Sequence, residues 1–215
     1  MQESVAPDYA EPLLGWRGWF VVETAGSARL YSPLYRTVWL PLRETVALCH
    51  REAGPAMWGP RSLPPQHEAP REDCRCGIYA CCSVVAAAEF VRGQGGFREA
   101  AATVVGQVFL WGRVVECRQG WRGAYAYPAR IYLARGRPGR SRFPTADAGT
   151  AERLAAALGA YGVPVELVLC ETVSELAGTL ARADAQALAE GGEPTVTLSG
   201  LAKALKRLLA LGKAK

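Results

Sequence analysis

Apolar positions along this chain follow two rhythms, separated by a stretch that follows neither. Residues 18–23, 28–31 and 35–40 are short runs rich in aromatic and β-branched side chains, the composition of strands. Ala25, Gly26 and Ser27 make a turn, Pro33 interrupts the next connection, and residues 44–48 continue extended. The longest runs are 104–117 and 121–134, separated by Arg118, Gln119 and Gly120. They predict an antiparallel hairpin with a bulge at Gly112. Alternation along the return strand puts Trp121, Tyr125 and Tyr127 on one face and Arg122, Ala124 and Ala126 on the other. Trp16, Trp19 and Trp39 are candidate core anchors. Residues 1–14 contain Pro7 and Pro12 and no period, so they read as a loose leader, with regular structure starting near Gly15.

Residues 78–92 predict a short strand or turn followed by a buried, alanine-rich helix that stops at Gly93 to Gly96. Beyond residue 150 the spacing becomes that of amphipathic helices. Leu154, Leu158 and Tyr161 share a face of a helix over 150–161, with Gly162 as its cap. Residues 164–170 read as a strand. Thr172 and Glu175 form a capping box, which opens a helix carrying Leu176, Leu180 and Leu188 and ending at Gly191 and Gly192. A last helix begins near Thr197 or Ser199, with Leu201, Leu205, Leu208 and Leu209 along one face. The fold class is therefore α+β. An antiparallel sheet or small barrel carries a metal-tied loop and is followed by a helical C-terminal region. The expected division is a β-rich domain over 1–144 and a mainly helical region over 145–215 packed on it.

The stretch without rhythm, 49–77, holds the candidate chemistry. It is rich in Pro and Gly and cannot build its own core. A structureless loop of this length inside a compact domain calls for a physical explanation. Cys49, His67, Cys74 and Cys76 supply one, because three thiolates and an imidazole make a closed tetrahedral zinc site. Cys74 and Cys76 form a tight knuckle, and Gly77 lets the backbone turn behind it. His50 is the rival nitrogen donor, and the two histidines are the only ones in the chain. Four protein ligands leave no position for water, which favours structural over catalytic zinc. Cys81, Cys82 and Cys170 lie in apolar runs and read as core residues. Cys117 lies at the hairpin end and is the first substitute ligand, together with Cys81.

The formal net charge of +5 over 215 residues permits a nucleic-acid partner without requiring one. Arg135, Arg137, Arg140 and Arg142 form a basic loop with no acidic residue between them. With the Trp121, Tyr125 and Tyr127 rings they could meet phosphates and bases. The N-terminal residues lack the basic start and apolar run of an export signal, and no apolar stretch is long enough to span a bilayer. A cytoplasmic protein with reduced thiols or metal ligands is expected, with no membrane partner. No phosphate-cradling loop and no Gly-x-Ser-x-Gly elbow is present.

The motifs Cys49, His67 to Pro70, Cys74 to Ala80, Val104 to Glu116, Gly120 to Arg122 and Ala126 to Pro128 resemble those of a group of uncharacterised bacterial proteins. The resemblance spans about residues 15–134. It implies that the Cys/His set and the hairpin belong to one module, and it carries no activity. In that group a histidine commonly follows the Val-Val-Glu motif, where this chain has Cys117. The expected function is that of a zinc-stabilised, non-enzymatic binding or adaptor module for a protein or nucleic-acid partner. The alternatives are nucleic-acid binding through the 135–142 loop and a metal-dependent enzyme with its site near Glu116 and Cys117.

Overall fold

The computed structural model describes residues 8–49, 67–136 and 146–189. In order, these form β1 (Asp8–Thr24), β2 (Ser27–Tyr31), β3 (Val38–Trp39), β4 (Thr45–Val46), β5 (Ile78–Cys81), α1 (Val84–Gly93), β6 (Ala102–Cys117), β7 (Gly120–Arg135), α2 (Ala148–Leu158), β8 (Val165–Leu169) and α3 (Val173–Ala189). A short 3-10 turn, Gly159–Tyr161, follows α2.

The hairpin of β6 and β7 is the frame. Its register runs from Cys117↔Gly120 at the turn to Val104↔Leu133. β1 pairs with the other edge of β6. β5 bridges β1 at Trp16↔Cys81 and runs beside β7 from Ile78↔Gly123 to Cys81↔Gly120. Strands β1, β6, β7 and β5 thereby form a ring. β2 and β3 extend the sheet beyond β1, and β4 lies on β7. β8 joins β7 in parallel. The α+β class holds, with a partly ringed sheet that is mixed rather than purely antiparallel.

Several elements follow their local signals. Gly112 sits at φ +70, inside the register shift between Trp111 and Val114, so the expected bulge is present. The Thr172 hydroxyl accepts from the Glu175 amide at 3.1 Å, and the Glu175 carboxylate accepts from the Glu171 amide at 2.8 Å. Asp147 caps α2 by accepting from the Thr150 amide at 2.9 Å, and Ser83 caps α1. The leader is a correction. The chain pairs with β6 from Asp8 onward, and Pro12, which has no N–H, falls within the register shift between Tyr9 and Leu13. The strand expected over 35–40 shrinks to Val38–Trp39. The C-terminal helix beyond Thr197, the end of the preceding helix at Gly191 and the side chain of Leu188 lie outside the described residues.

Two apolar layers cover the sheet. One holds Trp19, Val21, Leu30, Trp39, Val104, Leu110, Ile131 and Leu133 with Leu154, Leu158 and Tyr161 from α2 and its end. The other holds Trp16, Phe20, Val105 and Tyr132 with Val84, Ala88 and Val91 of α1 and Leu176 and Leu180 of α3. All three predicted tryptophan anchors are buried. A Cβ on Gly18 would stand 2.8 Å from the Val91 Cβ, so glycine there lets α1 lie directly on β1. Tyr161 ties the layers' edge together. Its hydroxyl donates to the Trp39 carbonyl at 2.6 Å and accepts from the Leu30 amide at 2.9 Å. Among the described residues no helix is long and apolar enough to cross a membrane.

Candidate metal centre

Three separate segments deliver four ligand atoms to one point. Cys49 follows β4, where the Ala47 amide donates to the Ala124 carbonyl at 2.7 Å and carries the extended run past Val46. His67 and the Cys74/Cys76 knuckle come from the polar chain that leads into β5. One donor atom from each of Cys49, His67, Cys74 and Cys76 lies within 4.8 Å of every other. Cys49 Sγ and Cys74 Sγ are 3.8 Å apart, and His67 Nε2 is 3.3 Å from Cys76 Sγ. Bonds of about 2.3 Å to sulfur and about 2.0–2.1 Å to nitrogen would put tetrahedral ligands roughly 3.5–3.8 Å apart. The cysteines are free thiols, and 3.8 Å is far beyond a disulfide bond. This cluster can hold a metal ion. Residue 50, and with it the rival donor His50, lies outside the described residues.

Hydrogen bonds and a left-handed glycine shape the knuckle. The Cys74 amide donates to the Arg71 carbonyl at 3.2 Å, and Arg71 grips Asp73 with two hydrogen bonds of 2.8 and 2.6 Å. Gly77 has φ +118, which an L side chain rarely adopts. A Cβ there would also stand 2.9 Å from the Arg122 Cβ and 3.0 Å from the Pro70 Cβ. Burial pushes the Cys76 thiol up to about 11, and the neighbouring Cys74 and Cys49 sulfurs push the same way. Three thiolates in this space would need a cation beside them, and a divalent metal ion could provide it.

Arg122 is the residue that sequence reasoning missed. It was assigned to a strand face with Ala124 and Ala126. In the fold it is 6% exposed and lies behind the knuckle. Its guanidinium donates to the Cys74 carbonyl, to the Cys76 carbonyl at 2.9 Å and to the Arg71 carbonyl at 3.3 Å. Its Nε donates to Cys117 Sγ at 3.2 Å. No carboxylate pairs with it among the described residues. A divalent ion with three thiolates and a neutral imidazole carries a net charge of −1, and Arg122 sits where that charge needs an offset. The signal in the sequence is an arginine between Trp121 and Gly123 in the mostly apolar first half of the strand.

The other candidates separate. Arg135 forms an ion pair with Glu152 at 3.1 Å, whereas Arg137, Arg140 and Arg142 lie outside the described residues. Trp121, Tyr125 and Tyr127 do not make one exposed stacking face. Trp121 packs on the core, Tyr125 stacks on Trp111, and Tyr127 is buried with its hydroxyl donating to the Tyr161 carbonyl at 2.8 Å. Cys170 is buried and Cys81 half-buried, as core residues should be. Cys82 is exposed instead, because it occupies the turn before the Ser83 cap. Glu116 is exposed at the end of β6, and Cys117 contacts Arg122 rather than the metal cluster.

A cleft of ≈ 340 Å³ opens beside the centre. The knuckle forms one wall, β4 and its continuation another, and Arg17 the floor. Glu116 and Cys117 are not among its described lining residues. No protein-family model matches the chain, and searches of curated proteins and of solved structures find no similar protein.

Proposed function

We propose that this is a zinc-stabilised, non-enzymatic binding module that recognises a protein partner. The observation that carries the reading is the convergence of Cys49, His67, Cys74 and Cys76 within 4.8 Å at the wall of a cleft. Thiolate and imidazole are donors that zinc accepts readily, and a full set of four makes a structural site. The ion ties the end of β4 to the start of β5. Its role is to fix the cleft wall, and Arg122 holds the same wall from behind.

Nucleic-acid binding through the basic loop has less support, since Arg135 is engaged by Glu152. An enzyme site near Glu116 and Cys117 has less support, since neither residue lines the cleft beside the metal cluster. The test is metal content and thermal stability of wild type and Cys74→Ser, purified without added metal. One zinc per chain, lost in the variant together with stability, is expected. Full stability after complete metal removal would overturn the reading.

A further inference from the structure

Arg17 is a cation without a counter-charge at the floor of the cleft. It lies on β1 and is only 8% exposed. Its guanidinium donates to the Tyr79 carbonyl and, at 3.1 Å, to the Ser32 hydroxyl, and it sits 5.2 Å above the Trp39 ring. Its Nε is buried and has no partner, and no carboxylate pairs with it among the described residues. Burial drives its pKa down to about 10, against a smaller opposing pull from the Cys81 thiol. A buried, unpaired charge is costly unless something compensates it. The rest of the cleft does not. Its one described acid, Asp73, is already held by Arg71, and Arg75 adds a second positive group.

The side of the cleft opposite the knuckle is largely apolar. Leu34, Tyr35, Val46 and Leu48 line the cleft and are 49%, 51%, 49% and 56% exposed. Leu40 and Leu42, between the two lining segments in sequence, are also exposed, at 42% and 50%. A cavity of ≈ 340 Å³ is at the lower end of ligand pockets, enough for one apolar side chain and its terminal group. β3 and β4, which flank the cleft, are also two-residue strands whose outer edges carry no strand among the described residues.

We infer that this cleft captures the free C-terminus of a partner polypeptide that ends in an apolar residue, with the terminal carboxylate on Arg17. The inference rests on the binding-module reading and names its partner class. The guanidinium presents a planar fork that suits a carboxylate, and the desolvated site strengthens the contact. The terminal side chain lies against Leu34, Tyr35 and Val46. The preceding residues run along the same apolar side. Arg17 discriminates a free carboxylate from an amidated or internal peptide, because neither supplies the charge.

The experiment uses the full chain and a degenerate heptapeptide pool ending in Leu, labelled with fluorescein at its N-terminus. Anisotropy is read for the free-acid pool, for the same pool with a C-terminal amide, and for the free-acid pool competed by hexanoate. Zinc content is measured in every protein sample. The expected result is binding of the free-acid pool that weakens at least tenfold on amidation and resists millimolar hexanoate. The same loss is expected in Arg17→Gln and in Val46→Glu, each with its zinc retained. Val46 is exposed, so V46E keeps the test decisive if R17Q does not fold. Equal binding of acid and amide pools, or no binding, by zinc-loaded protein would overturn the inference and leave the metal reading standing. Complete displacement by hexanoate would overturn the polypeptide partner in favour of a free aliphatic acid. Carboxylate-dependent binding by protein that contains no zinc would instead uphold the cleft and sink the metal reading.

Discussion

Replacing Arg122 by Gln should loosen the metal centre without touching a ligand. The guanidinium's nearest acceptors are the carbonyls of Cys74 and Cys76, the two knuckle ligands. A hydrogen bond from a charged donor contributes roughly 1.5–3 kcal/mol, so the pair sets an upper bound of about 6 kcal/mol. Glutamine can still reach one carbonyl, and water can enter from the open side of the knuckle. A net loss of about 2–4 kcal/mol follows. In a chain of this size that lowers Tm by roughly 5–15 °C. Residues that orient metal ligands typically change affinity by about 10–100-fold. R122Q should therefore bind zinc at least tenfold more weakly in a competition titration against a chromophoric chelator. Arg122→Lys restores the charge but not the fork, and should fall between wild type and R122Q. Wild-type affinity and Tm in R122Q would refute the idea that this arginine holds the knuckle.

Other predictions follow from separate features. Gly77→Ala forces a side chain into φ +118 and against Arg122 and Pro70, so it should lower both Tm and zinc affinity, measured by the same melts and titration. Tyr161→Phe leaves the Leu30 amide and the Trp39 carbonyl without their partner, and should cost about 1–3 kcal/mol in denaturant unfolding. Alkaline pH should destabilise the fold. Burial pushes the Cys170 thiol to about 11 and the Tyr132 and Tyr161 phenols to about 12, so the unfolded chain releases these protons first. Stability is then whole below about pH 9 and falls as pH climbs through 9–12. A Tm that stays flat or rises across that window would contradict the burial of these groups. Zinc affinity should fall as pH is lowered, because each thiol must release a proton to bind; pH-independent affinity would exclude thiolate ligands.

Much of the fold was legible where the signal is local. The β6–β7 hairpin, the bulge at Gly112 and the capped start of α3 all depend on residues a few positions apart. The helix read over 150–161 emerges as α2 plus the turn that ends at Tyr161. The metal cluster was legible because its chemistry is rare: three cysteines and a histidine in a polar, Pro-rich stretch have few other uses. What escaped depends on partners far along the chain. Residues 8–14 become strand only because β6, about a hundred residues later, offers an edge. Arg122 meets the knuckle across 48 residues, and Arg17 meets Tyr79 across 62. No local pattern encodes either contact. The aromatic face failed for a related reason, since Tyr125 stacks on Trp111 and Tyr127 reaches the Tyr161 carbonyl 34 residues on.

The most direct test of the central claim is X-ray absorption at the zinc edge on metal-loaded wild-type protein. The account predicts a shell of three sulfurs at about 2.3 Å and one nitrogen at about 2.0–2.1 Å, with one sulfur lost in Cys74→Ser. A shell of oxygen and nitrogen alone, or one unchanged in that variant, would mean that Cys49, His67, Cys74 and Cys76 do not hold the ion.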